Sequence, residues 1–323
     1  MKDLLLITPP FTQLNTPYPA TAYLKGFLNT KNISSYQIDL GIEVILEIFS
    51  KKGVTEIFNV KPENLSENAQ RIFALKEEYI KTIDEVIAFL QNKKPTLARQ
   101  ICSMNFLPEA SRFNQLDDME YAFGNMGLQD KAKHLATLYL EDLSDFIVEN
   151  IDENFGFSRY AERLGRSANS FDELYQKLQS DKTFVDNFTV EILDKKLLET
   201  KPKLVCFSVP FPGNLYSAFR CAQYIKNHYP NIKTAFGGGF ANTELRDLKD
   251  KRVFEFFDFI TLDDGELPIE LLFENVCYSQ QSEESLFKRT FLVENGEVVY
   301  KNNSERHDYK QAEIGTPDYT DLP

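Results

Sequence analysis

The stretch NIKTAFGGGFAN, Asn231–Asn242, decides how this chain is read. A short apolar run, Thr234–Phe236, passes directly into three glycines, Gly237–Gly239. Upstream lie a predicted strand, KLVCFSV (Lys203–Val209), and a predicted helix, Leu215–His228. Three glycines at the end of a strand remove every Cβ, so that a large flat ligand can approach the backbone closely. The plainer reading is an ordinary turn that needs glycine dihedrals, since a short glycine run is weak evidence for a cofactor. Position favours the functional reading, because the carboxyl ends of strands are where an open α/β sheet builds its binding crevice.

Working outward, composition sets bounds. A chain of 323 residues is long for a single small domain, and two units or one interrupted domain is expected. With 49 acidic against 36 basic residues, the net charge of −13 argues against binding nucleic acid through phosphate neutralisation. No apolar run reaches the ~20 residues a membrane helix needs. The start, Met1-Lys2-Asp3 followed by LLLIT, reads as a buried strand, not a cleavable signal, so a cytoplasmic protein is expected. Cys102, Cys206, Cys221 and Cys277 lie far apart without metal-ligand spacing, which argues against a zinc site or structural disulfide. The 27 Phe and 15 Tyr are expected mostly in the core.

In order, Asp3–Thr8 is a non-alternating apolar strand of the kind buried on both faces, ended by Pro9-Pro10. Ala20–Asn29 reads as a helix and Tyr36–Leu40 as the second strand. Beyond Gly41 the period becomes helical, with no catalytic grouping, and residues 42–199 are expected to form an all-α insertion. The α/β pattern resumes at Lys203, continues through strand four, Ile232–Phe236, and a fifth strand within Phe254–Leu262, and ends in the helix Leu267–Val276. Asn214 or Ser217 is expected to cap Leu215–His228. Asn295-Gly296 signals a type I′ hairpin between Thr290–Val293 and Glu297–Lys301. The final residues, GTPDYTDLP, look like a linker.

The expected fold is a doubly wound, Rossmann- or flavodoxin-like five-stranded parallel sheet over 1–41 and 200–280, with the helical insertion at 42–199 and a hairpin plus linker at 281–323. In the order 2-1-3-4-5 the loops Thr8–Thr12, Ser208–Asn214 and Gly237–Asn242 converge on one crevice, with Asp263–Glu266 further along that edge. No G-x-G-x-x-G follows strand one and no G-x-x-x-x-G-K-[ST] occurs, so neither a dinucleotide nor a nucleoside triphosphate is indicated.

Five segments, PPFTQLNTPYPATAYLKGFL, SVPFPGNLYSAFRCAQYIK, IKTAFGGGFAN, FDFITLDDGELPIELL and TPDYTDLP, together resemble the N-terminal half of cobalamin (B12)-binding radical SAM proteins. The resemblance covers 1–40 and 200–323 and leaves the helical insertion unmatched. It implies a cobalamin-binding domain preceding a radical SAM barrel in one longer chain, with [4Fe-4S] and S-adenosylmethionine confined to that barrel. A methyltransferase is among the reactions then open to the whole enzyme, while this chain alone is expected to be inactive. The implied cofactor-binding residues are Thr8, Pro9 and Pro10; Ser208, Val209, Pro210, Phe211, Gly213 and Asn214; Gly237, Gly238, Gly239 and Phe240; and Asp263, Gly265 and Glu266. The pattern departs from the family in two places. The cluster motif C-x-x-x-C-x-x-C is absent, and no D-x-H-x-x-G supplies a histidine to cobalt; Ile38-Asp39-Leu40-Gly41 is the nearest string. A cofactor-free scaffold or docking domain is the alternative. A stand-alone hydrolase lacks a serine elbow or any His/Asp/Ser grouping.

Overall fold

The computed structural model describes residues 3–60, 64–103, 105–118, 127–166, 171–278 and 285–323. The chain divides into two compact units, Met1–Val44 with Phe157–Pro323, and Ile45–Gly156. Thirteen α-helices occur among the described residues.

The first unit is α/β. Its sheet holds β1 (Leu4–Thr8), β2 (Ser35–Asp39), β3 (Leu204–Ser208), β4 (Lys233–Gly237), β5 (Phe259–Thr261), β6 (Thr290–Glu294) and β7 (Glu297–Lys301). The order is β2-β1-β3-β4-β5-β6-β7. Strands β1 to β5 pair in parallel, Cys206 opposite Ala235 and Ser208 opposite Gly237. All five residues of β1 and of β3 are buried, as expected of strands covered on both faces. The sheet is therefore seven-stranded and mixed, not a five-stranded parallel sheet with a separate hairpin. The hairpin joins it because β6 pairs antiparallel with β5, Ile260 opposite Phe291, and adds Leu292 to the core. Its turn has positive φ at Asn295 (51°) and Gly296 (78°), as a type I′ turn demands. The fifth strand occupies the end of the expected stretch, Phe254–Leu262. Asp250 accepts the N–H of Arg252 and starts a 3₁₀ turn over Lys251–Glu255, which leaves only Phe259–Thr261 extended.

The helices of this unit are α1 (Ala20–Thr30), the start of α2 (Leu40–Ile48), α8 (Glu162–Arg166), α9 (Asp172–Gln179), α10 (Phe184–Thr200), α11 (Leu215–His228), α12 (Gly239–Glu244) and α13 (Glu266–Cys277). Residues 157–199, expected in the insertion, thus belong with the sheet. A buried ion pair explains the difference: Arg220 on α11 lies 3.0 Å from Asp186 on α10, and also donates to the Leu178 carbonyl of α9 at 3.0 Å. At the far end of α11, Asp258 accepts from Lys226 (2.5 Å), from Lys233 (3.1 Å) and from the Thr234 N–H (2.8 Å). Burial alone would raise the Asp258 pKa, but these donors outweigh it and hold the group below its ordinary 3.8. The Asp258 contribution to stability is therefore present above the unfolded value and lost as pH falls through the lower, folded value. In urea melts from pH 6 to 3 the midpoint is expected to fall at the acid end, and Asp258→Asn to flatten that fall.

The second unit is helical: the rest of α2, then α3 (Lys51–Asn59), α4 (Glu67–Ala74), α5 (Lys76–Leu90), α6 (Ala98–Ile101) and α7 (Leu128–Asn150). Ser66 caps α4 by accepting the Ala69 N–H at 3.1 Å. Phe58 packs against Phe73, Tyr79 and Phe146. The buried Asp142 carboxylate accepts from Tyr79 Oη (3.3 Å), Ala110 N (3.0 Å) and Arg112 N (3.1 Å), which marks it as a structural tie. No helix among the described residues is long and apolar enough to cross a membrane.

The C-terminal residues do not project as a linker. The Asp318 N–H donates to the Ala22 carbonyl on α1 at 3.0 Å, and Gln37 Nε2 on β2 donates to the carbonyls of Asp318 and Thr320 at 2.6 and 2.8 Å. Lys25, only 5% exposed, donates to the Thr320 carbonyl and pairs with Asp321.

Candidate functional site

At the carboxyl ends of β1, β3, β4 and β5 the first unit holds a cavity of about 280 Å³. Leu6, Cys206 and Ala235 form its floor, α1 contributes Thr21 and Leu24 on one side, and α13 contributes Ile269 and Leu272 on the other. Ser208, Gly237, Gly238 and the Asp263–Glu266 loop stand around it. Pockets for drug-sized ligands run from roughly 300 to 1,000 Å³, so this one admits a bicyclic aromatic base with part of a sugar and excludes a macrocycle.

The cavity's floor is apolar, while Thr21, Ser208 and Thr261 bring hydroxyls and Asp263, Asp264 and Glu266 bring carboxylates to its lining. Burial pushes the Cys206 thiol upward, so it stays neutral while the cavity floor is covered. Thr21 is 1% exposed, and its Oγ1 has no hydrogen-bond partner. Thr21 lines the cavity, and it shares its lack of a partner with buried polar atoms of Thr8, Thr12, Ser35, Gln37, Asn214 and Ser217. The rim loop is held rigidly. Asp263 (φ 62°) donates its N–H to Asn242 Oδ1 at 2.6 Å, and its carboxylate pairs with Arg246 and faces Arg289 at 3.9 Å. Arg289 in turn donates to the carbonyls of Leu262 (3.2 Å) and Asp264 (3.0 Å). No histidine lines the cavity, and no group of three His, Cys, Asp or Glu among the described residues is arranged to hold a metal ion.

Of the residues singled out in the sequence, Ser208, Gly237, Gly238, Asp263, Gly265 and Glu266 meet at this cavity. The others do not line it. The Val209 N–H donates to the Gly237 carbonyl (2.8 Å) and its carbonyl accepts from Phe240 (3.0 Å), so the β3 and β4 loops are laced together. A Cβ on Gly239 would come within 2.8 Å of the Pro210 carbonyl, so this glycine accommodates the chain's own backbone. Thr8 and Asn214 are fully buried, and Asn214 Nδ2 donates to the Pro9 carbonyl at 2.6 Å. Asn214 is the N-cap residue of α11 but makes no side-chain cap bond, because its amide ties the β1 loop to the β3 loop. The Phe11 N–H reinforces that tie by donating to Gly213 O at 3.4 Å, just beyond Pro10. Phe211 is 53% exposed and meets Tyr18 edge-on at 5.9 Å.

Sequence reading missed Thr21, Thr261, Ile269 and Leu272. The one available signal was Thr21 itself, a β-branched polar residue on the buried face of α1. Comparison with family models, curated proteins and solved structures gives no match to this chain.

Proposed function

We propose that the α/β unit is a cobalamin-binding-type module whose cavity receives the nucleotide tail of the cofactor while the corrin stays outside. The observation that carries this reading is the cavity itself, with an apolar floor of Leu6, Cys206 and Ala235, small hydroxyls at Thr21, Ser208 and Thr261, and backbone bared at Gly237 and Gly238. The parallel order 2-1-3-4-5 of the first five strands supports a doubly wound, Rossmann-like arrangement, in which ligands bind at the carboxyl ends of the strands. A volume near 280 Å³ suits a benzimidazole nucleoside, and the apolar floor suits its flat faces. Cobalamin, when bound, supplies an organocobalt centre suited to methyl transfer. Thr21 and Ser208 would orient the tail, and the rim loop held by Asn242 and Arg289 would border it. In this reading a radical SAM barrel, with its [4Fe-4S] cluster and S-adenosylmethionine, is the partner in a longer chain.

The test is Thr21→Val, which keeps shape and removes the hydroxyl. Affinity for hydroxocobalamin is expected to fall about ten-fold, the equivalent of one good hydrogen bond. Stability of the free protein is expected to hold or rise, since a desolvated hydroxyl is removed. Unchanged affinity would contradict the role given to Thr21.

A second reading, a cofactor-free scaffold, is favoured by one observation. Gly238 and Gly239 are both accounted for by contact with Val209 and Pro210, without any ligand.

A further inference from the structure

Residues 302–321 run, apart from one 3₁₀ turn at Gln311–Glu313, as an irregular segment across both helices that wall the cavity. On α13, Arg306 pairs with Glu270 (2.7 Å) and Glu274 (3.0 Å), and Tyr309 Oη donates to Glu270 at 2.5 Å. On α1, the Tyr309 ring packs on Phe27 at 4.9 Å under the Lys31 ammonium, 4.0 Å from its centroid. Further along, a Cβ on Gly26 would collide with the Thr316 carbonyl, and Asn29 donates to Asp318 at 2.8 Å. Between these anchorages Asp308 makes two bonds of 2.8 Å with Arg289. Arg289 is the side chain whose other donors hold the Leu262 and Asp264 carbonyls of the cavity rim.

We propose that this segment is a clasp that sets the aperture of the cavity, with Arg289 as the positioning residue that transmits its docking to the rim loop. Helices α1 and α13 touch the cavity with one face and the clasp with another, so undocking frees both walls at once. The Arg289 fork couples the third wall, because losing Asp308 leaves the guanidinium free to swing from the rim carbonyls. The consequence for a ligand rests on the reading that the cavity binds one. Ligand and clasp then favour each other reciprocally, as any two events coupled through a common element must.

The test uses the accessibility of Cys206 on the cavity floor, with Cys102 and Cys277 replaced by serine and the buried Cys221 by alanine. Asp308→Ala removes both acceptors that Arg289 holds on the clasp and leaves the rim carbonyls of Leu262 and Asp264 in place. It is expected to raise the rate of Cys206 alkylation by about five-fold or more, the low end of usual coupling strengths, and to raise hydrogen exchange at 262–266 together with 303–321. Lys25→Met, which frees the far end, is expected to act in the same direction. Faster exchange confined to 303–321, with Cys206 labelling and the rim loop unmoved, would overturn the proposal. In the parent protein, hydroxocobalamin is expected to slow exchange across 303–321. Failure of hydroxocobalamin to bind at all would sink the cofactor reading, while the labelling result in the free protein would still decide for or against the clasp.

Discussion

Gly238→Ala is expected to destabilise the α/β unit by about 3 kcal/mol or more, the sum of backbone strain and a hard contact. Gly238 sits at φ 103°, ψ −173°, a region that side-chain-bearing residues almost never occupy. A Cβ there would lie 2.8 Å from the Val209 carbonyl oxygen and 2.9 Å from the Val209 nitrogen. Both are backbone atoms of a strand end buried beneath the sheet's helices, so neither can yield cheaply. Gly237→Ala is the control. Its one tight contact would be Thr261 Oγ1, at 2.8 Å, a hydroxyl that can rotate away, while the Thr261 carbonyl oxygen lies at an ordinary 3.7 Å. A loss of ~1 kcal/mol is expected there, within the range of mild overpacking. Urea unfolding of the two variants measures the difference. Equal, small losses would mean that the β4 turn is not held by Val209 as described. The same geometry makes a bulky residue at Gly238 a poor probe of binding, since it disrupts the turn before it fills the cavity.

The second large effect concerns the buried pair of Asp186 and Arg220. Their side chains are 2% and 4% exposed, and Tyr216 Oη donates to the same Asp186 oxygen at 2.7 Å. Breaking a buried pair by removing one partner strands the other charge, and such losses run about 3–5 kcal/mol. Arg220→Met and Asp186→Leu are each expected to fall in that range by urea denaturation. The double variant is expected to be more stable than the Asp186→Leu single variant, because no uncompensated charge remains. Additive losses would show that packing, not charge pairing, holds α9 and α10 to α11. The pair explains why 157–199 fold with the sheet, although their helical period alone matched an insertion.

What the sequence made legible follows from local chemistry. The non-alternating apolar runs of β1 and β3 are short and bounded by prolines or polar residues, and their burial follows the parallel-strand expectation. The helix Leu215–His228 and the Asn295-Gly296 turn fall at the expected positions, because apolar periodicity and positive-φ preference are local properties, although neither Asn214 nor Ser217 caps the helix with its side chain. Long-range pairing was not legible. The hairpin's union with β5 depends on which edge lies free, and the docking of 302–321 depends on a lysine, Lys25, that reads locally as an exposed helix residue. The glycine run was legible as a special turn but ambiguous in purpose. Gly238 and Gly239 relieve contacts with Val209 and Pro210, while Gly237 and Gly238 also border the cavity. The cavity's walls escaped notice because α1 and α13 contribute ordinary amphipathic faces, which read like plain core.

Isothermal titration calorimetry decides where the tail goes by comparing hydroxocobalamin with cobinamide, which keeps the corrin and lacks the nucleotide tail. If the cavity between α1 and α13 receives the tail, hydroxocobalamin binds and cobinamide binds at least about a hundred-fold more weakly, a difference near 2.7 kcal/mol. Equal binding of the two, or none by the folded protein, would contradict the account and leave the cofactor-free scaffold as the reading of this fold.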